Sequence, residues 1–193
     1  MRAAFLDRDG VINELVYLEE AGIIDSPFHE DQFRLVLGAA AGIRALNELD
    51  LKVIVISNQP VVAKGHCSSD RLDRITNRMH ALLAQEEARL DAVYYCLHHP
   101  RGKVPELTRE CDCRKPKPGL MLAAAREHGI DLGASVVVGD RWRDIEAGRR
   151  ADCHTVFVDY WYAEPQPEKP DLVVASLTEA TSWIVSDREG RHS

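Results

Sequence analysis

Short apolar runs alternate with amphipathic segments along most of the chain. Six runs rich in β-branched and aromatic residues are four to six positions long, as expected for strands buried on both faces of a sheet. They cover residues 3–6, 51–56, 92–97, 135–138, 155–158 and 172–175. Apolar side chains at helical spacing predict helices over residues 39–49 and 71–90. Pro118 in the first turn and Gly129 just past the end predict a helix over residues 118–128, and a short helix is expected over residues 144–150. This alternation predicts an α/β fold, a Rossmann-like three-layer sandwich around a central parallel sheet.

Two segments interrupt the alternation. Residues 14–37 show no strong period and are too few to form a cap domain. Residues 98–117 are rich in Pro, Gly, Arg and Cys, and a loop of that length within a compact domain is usually functional or held by a staple. We therefore expect one domain over residues 1–185 without a large cap, a stapled loop at 96–113, and a polar tail at 186–193.

Composition and charge restrict the class of partner. The 193 residues carry a net charge of −7, which argues against nucleic acid as a partner because such binding needs a basic face. No apolar run approaches the roughly 18 residues of a membrane span, so we expect no membrane partner. The chain opens on a strand rather than a signal peptide, and its five cysteines are an odd number, as in proteins of a reducing compartment. We expect a cytoplasmic monomer.

Polar clusters follow several of the predicted strands or precede a helix. The carboxyl ends of parallel strands lie along one edge of a sheet, so these clusters are expected to converge on one cleft. Their carboxylates, hydroxyl and lysine would suit the attack of a carboxylate on a phosphoryl group. Ser57 and Asn58 could instead form only a turn, and Asp144 could be only a helix N-cap. The clusters are Asp7 and Asp9, Ser57 and Asn58, Arg114 and Lys115, and Asp140, Arg141 and Asp144.

Three cysteines and a histidine lie in the second interrupted segment. A Cys-x-His pair, Cys96 and His98, is separated by twelve residues from a Cys-x-Cys pair, Cys111 and Cys113. Three sulfurs and one imidazole suit a closed, tetrahedral structural Zn²⁺ site. The alternative is three buried free thiols with a surface histidine. A loop without an apolar core, however, needs a cross-link such as a bound metal ion to be ordered.

The order of these motifs resembles that of the haloacid dehalogenase (HAD) superfamily of phosphatases. Asp-x-Asp-Gly, Ser-Asn, Lys before a helix and Gly-Asp-x-x-x-Asp extend from Phe5 to about Asp159. The resemblance implies that Asp7 is the nucleophile, which forms an aspartyl-phosphate, and that Asp9 is the general acid and base. The resemblance further implies that Ser57 and Lys115 hold the phosphoryl oxygens. It also implies that Mg²⁺ is bound by Asp7, Asp140 and the backbone carbonyl of Asp9, and that Asp144 supports the outer shell of the metal ion.

The cysteine motif is similar to that of one branch of this superfamily, which contains heptose-bisphosphate and histidinol-phosphate phosphatases. Its long spacer favours the heptose enzymes, and the resemblance then implies removal of the 7-phosphate of D-glycero-D-manno-heptose 1,7-bisphosphate. Asn58, Arg114 and Arg141 are the implied substrate contacts, and His98 rather than His99 is the implied zinc ligand. Histidinol phosphate or another small phosphomonoester is the alternative substrate. The alternatives that are not enzymes are a phosphoaspartate receiver and a catalytically dead, zinc-stapled binding module.

Overall fold

The computed structural model describes residues 1–19, 22–49 and 51–190, and it is built around a six-stranded parallel sheet. In chain order the elements are β1 (Ala3–Leu6), β2 (Val16–Leu18), β3 (Ile23–Asp25), α1 (Ala39–Glu48), β4 (Lys52–Asn58), α2 (Ser69–Gln85), β5 (Ala92–Cys96), α3 (Gly119–His128), β6 (Val136–Gly139), α4 (Trp142–Arg150), β7 (His154–Val158), β8 (Leu172–Val174) and α5 (Leu177–Gly190). The strand order of the main sheet is β5-β4-β1-β6-β7-β8. This arrangement confirms the predicted α/β sandwich.

Helices cover both faces of the sheet because the central strand is apolar on both sides. Ala4 and Leu6 of β1 contribute to one core, which is completed by α1, α2 and α5. Ala3 and Phe5 contribute to the opposite core, which is completed by α3 and α4. All four residues of β1 are fully buried. Alternation of side chains along a strand therefore produces the two cores of a three-layer sandwich.

The chain reverses its direction of winding at β1. From β1 it proceeds outward to β4 and β5, and it then returns to the other side of β1 to add β6, β7 and β8. Such a reversal opens a crevice at the carboxyl ends of the strands, which is where ligands bind in open α/β sheets. The strand order therefore predicts the site beside β1.

The segment without strong periodicity folds as a small antiparallel hairpin rather than a cap. β2 and β3 pair through Val16–Asp25, Tyr17–Ile24 and Leu18–Ile23, and a short 3₁₀ turn follows at Glu30–Gln32. Tyr17 and Ile24 are exposed. Three-residue strands are too short to produce a clear period, so the sequence pattern does not predict this hairpin.

Helix α2 begins at Ser69, two residues earlier than predicted, and further helix bounds also differ from the predictions. Helix α2 ends at Gln85 rather than residue 90, because Glu87 adopts a left-handed φ of 57° that a helix cannot continue through. Helix α4 begins two residues earlier than predicted. Helix α5, rich in Ser and Thr, is not indicated by the sequence pattern, and it runs into the segment expected to be a polar tail. Residues 191–193 lie outside the described residues.

Candidate active site

Four segments meet at the carboxyl edge of the sheet, next to the crevice beside β1. Asp7 follows β1 directly, Ser57 and Asn58 are the last two residues of β4, and Asp140 follows β6. Lys115 reaches the same place from the loop before α3, where its ammonium group donates to the carbonyl oxygen of Ile56 at 2.8 Å. The structure thus brings together the side chains predicted to converge.

The centre of the site is a buried group of three carboxylates around one lysine. Oxygens of Asp7, Asp140 and Asp144 all lie within 4.8 Å of one another. Nζ of Lys115 lies 2.9 Å from Oδ1 of Asp7 and 2.6 Å from Oδ1 of Asp144. Burial alone would lower the pKa of Lys115, but the two carboxylates raise it above its usual value. The lysine is therefore held in its charged form.

Two glycines allow the segments to approach this closely. A Cβ on Gly10 would lie 2.1 Å from Oδ2 of Asp140, and the φ of Gly10 is +91°, where a side chain is strained. A Cβ on Gly139 would lie 2.2 Å from the Cβ of Asp144. The glycines of the Asp-x-Asp-Gly and Gly-Asp patterns are therefore required for steric reasons.

Asp140 has the properties of a cation ligand. It is 1% exposed, and neither of its carboxylate oxygens has a hydrogen-bond partner among the described residues. The nearest cation is Arg141, whose Nε lies 3.4 Å from Oδ2. Burial and the charges of Asp7 and Asp144 raise the pKa of Asp140 well above its usual value. Oxygen ligands with no donor to satisfy them fit a hard divalent cation such as Mg²⁺.

Asp144 is not the N-cap of α4, which is Arg141, but lies at the third helical position and contacts both the start of the helix and the lysine of the site. Its Oδ2 accepts a hydrogen bond from the backbone N–H of Arg141 at 3.0 Å, so it helps to cap α4 from the third helical position. Its Oδ1 pairs with Lys115, and its carboxylate belongs to the acidic group beside Asp140. Asp144 therefore fixes the lysine and contributes negative charge to the site.

Asp9 is held by a set of donors that sequence reasoning did not identify. Arg8, between the two aspartates of the motif, is completely buried and makes three contacts of 2.9–3.2 Å to the Asp9 carboxylate. Asn13 and Gln59 also donate to it, at 3.0 and 2.5 Å. The Arg-x-x-x-x-Asn spacing after Asp7 gives no signal by itself, because arginine is a residue type that is mostly exposed to solvent.

Ser57 and Asn58 have different environments. Ser57 is buried, and its Oγ accepts a hydrogen bond from Gln59 at 3.1 Å, which leaves its own O–H to donate to a ligand. The side-chain amide of Asn58 donates to the backbone carbonyl of Lys115 at 3.1 Å and accepts from its N–H at 3.0 Å. Asn58 lines the cavity, but its polar atoms are engaged in fixing Lys115.

A cavity of about 300 Å³ lies above the carboxylates. Asp7, Asp9, Ser57 and Lys115 line it, and the hairpin contributes Ile24. Four further cations line it as well, together with three further carboxylates: Lys64, Arg114, Arg141 and Arg143, and Asp25, Asp144 and Glu164. The cations suit an anionic ligand whose phosphoryl group reaches Lys115.

Glu164, which no motif suggested, also lines this cavity. It forms ion pairs with Arg141 and with Arg143, the second at 3.4 Å between Nη2 and Oε2. The Arg141 guanidinium lies over the ring of Tyr162, 3.8 Å from its centroid. The loop after β7 therefore determines the orientation of two of the four cavity cations.

The predicted zinc ligands are adjacent in the fold. Sγ of Cys113 lies 3.2 Å from Sγ of Cys96 and 3.3 Å from Sγ of Cys111, and Nδ1 of His98 lies 3.3 Å from Sγ of Cys113. Burial, with the neighbouring thiols, raises the pKa of the Cys96 thiol. Three sulfurs and one ring nitrogen, all within 4.8 Å, fit a tetrahedral Zn²⁺ ion.

The four proposed zinc ligands lie at the two ends of the long loop, next to the cavity. Arg114 follows Cys113 directly and lines the cavity, and its Nη1 donates to the carbonyl oxygen of His98 at 3.3 Å. The same loop therefore carries both the proposed zinc ligands and a cavity cation.

In the part of the chain that the structure describes, every helix is too short or too polar to cross a lipid bilayer.

Comparisons with known proteins identify the family of this chain. A protein-family model described as HAD-hydrolase-like matches residues 112–180. The D-glycero-beta-D-manno-heptose-1,7-bisphosphate 7-phosphatase of Salmonella typhi is 33% identical over 186 residues, covering 95% of this chain and 89% of that enzyme. The D-glycero-alpha-D-manno-heptose-1,7-bisphosphate 7-phosphatase of Photorhabdus laumondii is 34% identical over 159 residues, covering 82% of each.

Solved structures give the same result. The D,D-heptose 1,7-bisphosphate phosphatase of B. bronchiseptica, crystallised with magnesium and phosphate, matches with a TM-score of 0.78 and 28% identity, covering 97% of this chain and 99% of that one. The chain therefore belongs to the HAD superfamily of phosphoric monoester hydrolases, in the family of the heptose-1,7-bisphosphate 7-phosphatases.

Proposed function

We propose that this enzyme removes the 7-phosphate of D-glycero-D-manno-heptose 1,7-bisphosphate through an aspartyl-phosphate on Asp7. The observation that carries the chemistry is the buried Asp7–Lys115 contact beneath a cavity with four cations. The substrate is suggested by relatives at 33–34% identity, of which this chain covers 82–89%. Those relatives are named for the alpha and the beta anomer, so either is a candidate.

In the first step, Asp7 attacks the phosphorus and the bond from phosphorus to the sugar oxygen breaks. Both contacts of the Asp7 carboxylate fall on Oδ1, which accepts from the Arg8 N–H at 2.7 Å and lies 2.9 Å from Nζ of Lys115. Oδ2 is therefore the oxygen we expect to attack. Asp9 gives a proton to the leaving sugar oxygen, while Lys115 and the Ser57 hydroxyl bind phosphoryl oxygens.

In the second step, Asp9 removes a proton from water, and the resulting hydroxide attacks the phosphorus of the acyl phosphate. The bond from phosphorus to Asp7 breaks, inorganic phosphate leaves, and both carboxylates return to their initial states. Because one group serves as acid and then as base, each step prepares it for the next. No large cap is present among the described residues, so the substrate itself must help to exclude bulk water.

Asp7, Asp140 and the backbone carbonyl of Asp9 are the groups that we propose to hold Mg²⁺. The unpartnered oxygens of Asp140 support this assignment. When bound, the cation would offset the repulsion between a phosphate dianion and the surrounding carboxylates. Asp144 would contribute to the negative potential at this position without direct contact.

Cys96, His98, Cys111 and Cys113 are the groups that we propose to hold a structural Zn²⁺. Its contribution would be to fix the long loop, and with it Arg114 at the cavity. We also propose that residues 1–185 act as one catalytic domain. That the chain is a monomer and cytoplasmic stays a prediction.

The test is phosphate release from a panel of substrates in the presence of Mg²⁺. The panel contains both anomers of the heptose bisphosphate, histidinol phosphate and common sugar monophosphates, and ³¹P NMR identifies which phosphate of the bisphosphate is lost. We expect the highest kcat/KM for a heptose bisphosphate, with loss of the 7-phosphate. A preference for histidinol phosphate would contradict the proposed substrate.

The nucleophile is tested separately from the substrate. Asp7→Asn keeps the size of the side chain but removes the attacking oxygen, so we expect activity to disappear while the fold and zinc content are retained. Full activity in this variant would contradict the role of Asp7, whichever substrate the panel favours.

A further inference from the structure

Arg8 is among the largest fully buried side chains of the protein, although it carries a charge. It is 0% exposed, and it lies between the two aspartates of the Asp-x-Asp motif. A buried arginine is costly unless its donors are paired. The partners of Arg8 therefore indicate what its burial achieves.

Its main partner is the carboxylate of Asp9. Nη2 donates to Oδ1 at 2.9 Å and to Oδ2 at 3.1 Å, and Nε donates to Oδ1 at 3.2 Å. A planar guanidinium that contacts both oxygens fixes the plane of the carboxylate as well as its position. Burial by itself would lower the pKa of Arg8, but its interaction with Asp9 raises it, so the guanidinium keeps its positive charge.

Further contacts fix the guanidinium and the same carboxylate. The Gln59 side chain accepts from Nη2 of Arg8 at 3.0 Å, and its amide nitrogen donates to Oδ2 of Asp9 at 2.5 Å and to Oγ of Ser57 at 3.1 Å. Nη1 of Arg8 lies 3.4 Å from the Tyr95 hydroxyl. Gln59 is itself fully buried, so the acid and base and the phosphate-binding serine share one rigid support.

Only the far end of this network reaches the cavity. Asp9 and Ser57 line the cavity, whereas Arg8 and Gln59 do not. We infer that Arg8, together with Gln59, is a positioning residue for proton transfer, which holds the Asp9 carboxylate at the leaving oxygen. This inference rests on the proposed role of Asp9. It predicts that the loss of Arg8 acts on the reaction only through Asp9.

The test is a double-mutant cycle with Arg8→Met and Asp9→Asn, measured as kcat/KM on the best substrate of the panel. Because general acid–base catalysis typically contributes about 10²–10⁴-fold, we expect Arg8→Met to lose about 10–100-fold. In the Asp9→Asn background the same change is expected to cost less than about threefold, since residues acting as a unit are not additive. Equal losses in both backgrounds would overturn the inference.

Aryl phosphates provide a second readout that a purely structural role would not move. A good leaving group such as p-nitrophenolate departs without a proton, whereas a sugar alcohol requires one. Relative to wild type, Arg8→Met should therefore lose less kcat/KM on p-nitrophenyl phosphate than on phenyl phosphate, as should Asp9→Asn. Equal losses on both aryl phosphates in Arg8→Met alone would overturn the inference, and equal losses in Asp9→Asn would overturn the proposed role of Asp9.

Two variants guard against a general loss of stability. Lys52→Met removes another ion pair, Lys52 to Asp91 at 2.7 Å, at the opposite end of β4, and should leave kcat/KM unchanged. If Arg8→Met does not fold, Arg8→Lys enters the same cycle, because it keeps a buried cation but loses the planar guanidinium that contacts both oxygens of Asp9. Equal losses for Arg8→Lys with Asp9 and with Asn at position 9 would overturn the inference in that case.

Discussion

Asp140→Asn is expected to stabilise the protein in the absence of metal while removing its function. Asp140 is 1% exposed, its oxygens have no hydrogen-bond partner among the described residues, and two other carboxylates lie beside it. A buried polar group left unsatisfied costs about 1–3 kcal/mol, and a charged one costs more. A neutral amide of the same size can donate to its acidic neighbours, so we expect a gain of about 1–3 kcal/mol in the free energy of unfolding.

Thermal unfolding in chelator and in Mg²⁺ measures this effect. For a domain of this size about 1 kcal/mol corresponds to about 2–4 °C, so the melting temperature of Asp140→Asn in chelator should exceed that of wild type by about 2–12 °C. A ligand at a thousandfold excess over its Kd adds about 4 kcal/mol to the protein that binds it. In saturating Mg²⁺ the wild type should therefore become the more stable protein by about 1–3 kcal/mol.

The stability difference between wild type and Asp140→Asn depends on pH. Because the pKa of Asp140 is raised in the folded state, its ionised form destabilises the fold above that pKa, and the penalty is lost as the pH falls towards its usual value of 3.8. The advantage of Asp140→Asn in chelator should therefore be present at neutral pH and shrink as the pH falls. A variant less stable than wild type in chelator at neutral pH, or one stabilised by Mg²⁺ as strongly as wild type, would refute the reasoning.

Three further changes test other parts of the site. Lys115→Met leaves Asp144 buried and unpaired, so we expect a loss of activity and a decrease of about 3–5 kcal/mol in the free energy of unfolding, measured with denaturant. A decrease of less than about 1 kcal/mol would contradict the role of the ion pair. Cys111→Ser should lower the melting temperature and reduce the zinc content, measured by elemental analysis, from one ion per chain to none. A wild-type protein without zinc would contradict the proposed zinc site. Glu164→Gln should lower KM for the phosphorylated substrate by about 1.4- to fivefold at low salt, because partly exposed ion pairs contribute about 0.2–1 kcal/mol. An unchanged or higher KM would show that Glu164 does not compete for Arg141.

No large cap is present among the described residues, and the segment after β1 reaches the cavity through the small hairpin β2–β3. Ile24 lines the cavity, and Ile24 and its partner Tyr17 are also exposed. An exposed apolar pair beside a polar cavity offers a surface for the non-reacting part of a substrate.

Local sequence patterns are enough to establish the fold class and most of the residues of the site. A strongly β-branched run such as Val136–Val138 fits a strand buried on both faces, and a polar residue directly after such a run must lie at the edge of the sheet. The order of motifs along the chain is therefore sufficient to place Asp7, Ser57 and Asp140 at one edge. The Cys-x-His and Cys-x-Cys pairs are equally local signals.

Long-range packing, in contrast, establishes which partner each side chain has. Arg8 could have been exposed, and only the packing of β4 and β5 around it directs its guanidinium to Asp9, Gln59 and Tyr95. Glu164 lies 23 residues from Arg141 in the chain, and no periodicity connects them. Such contacts depend on distances between elements that are far apart in sequence, whereas periodicity and capping report only on neighbours along the chain.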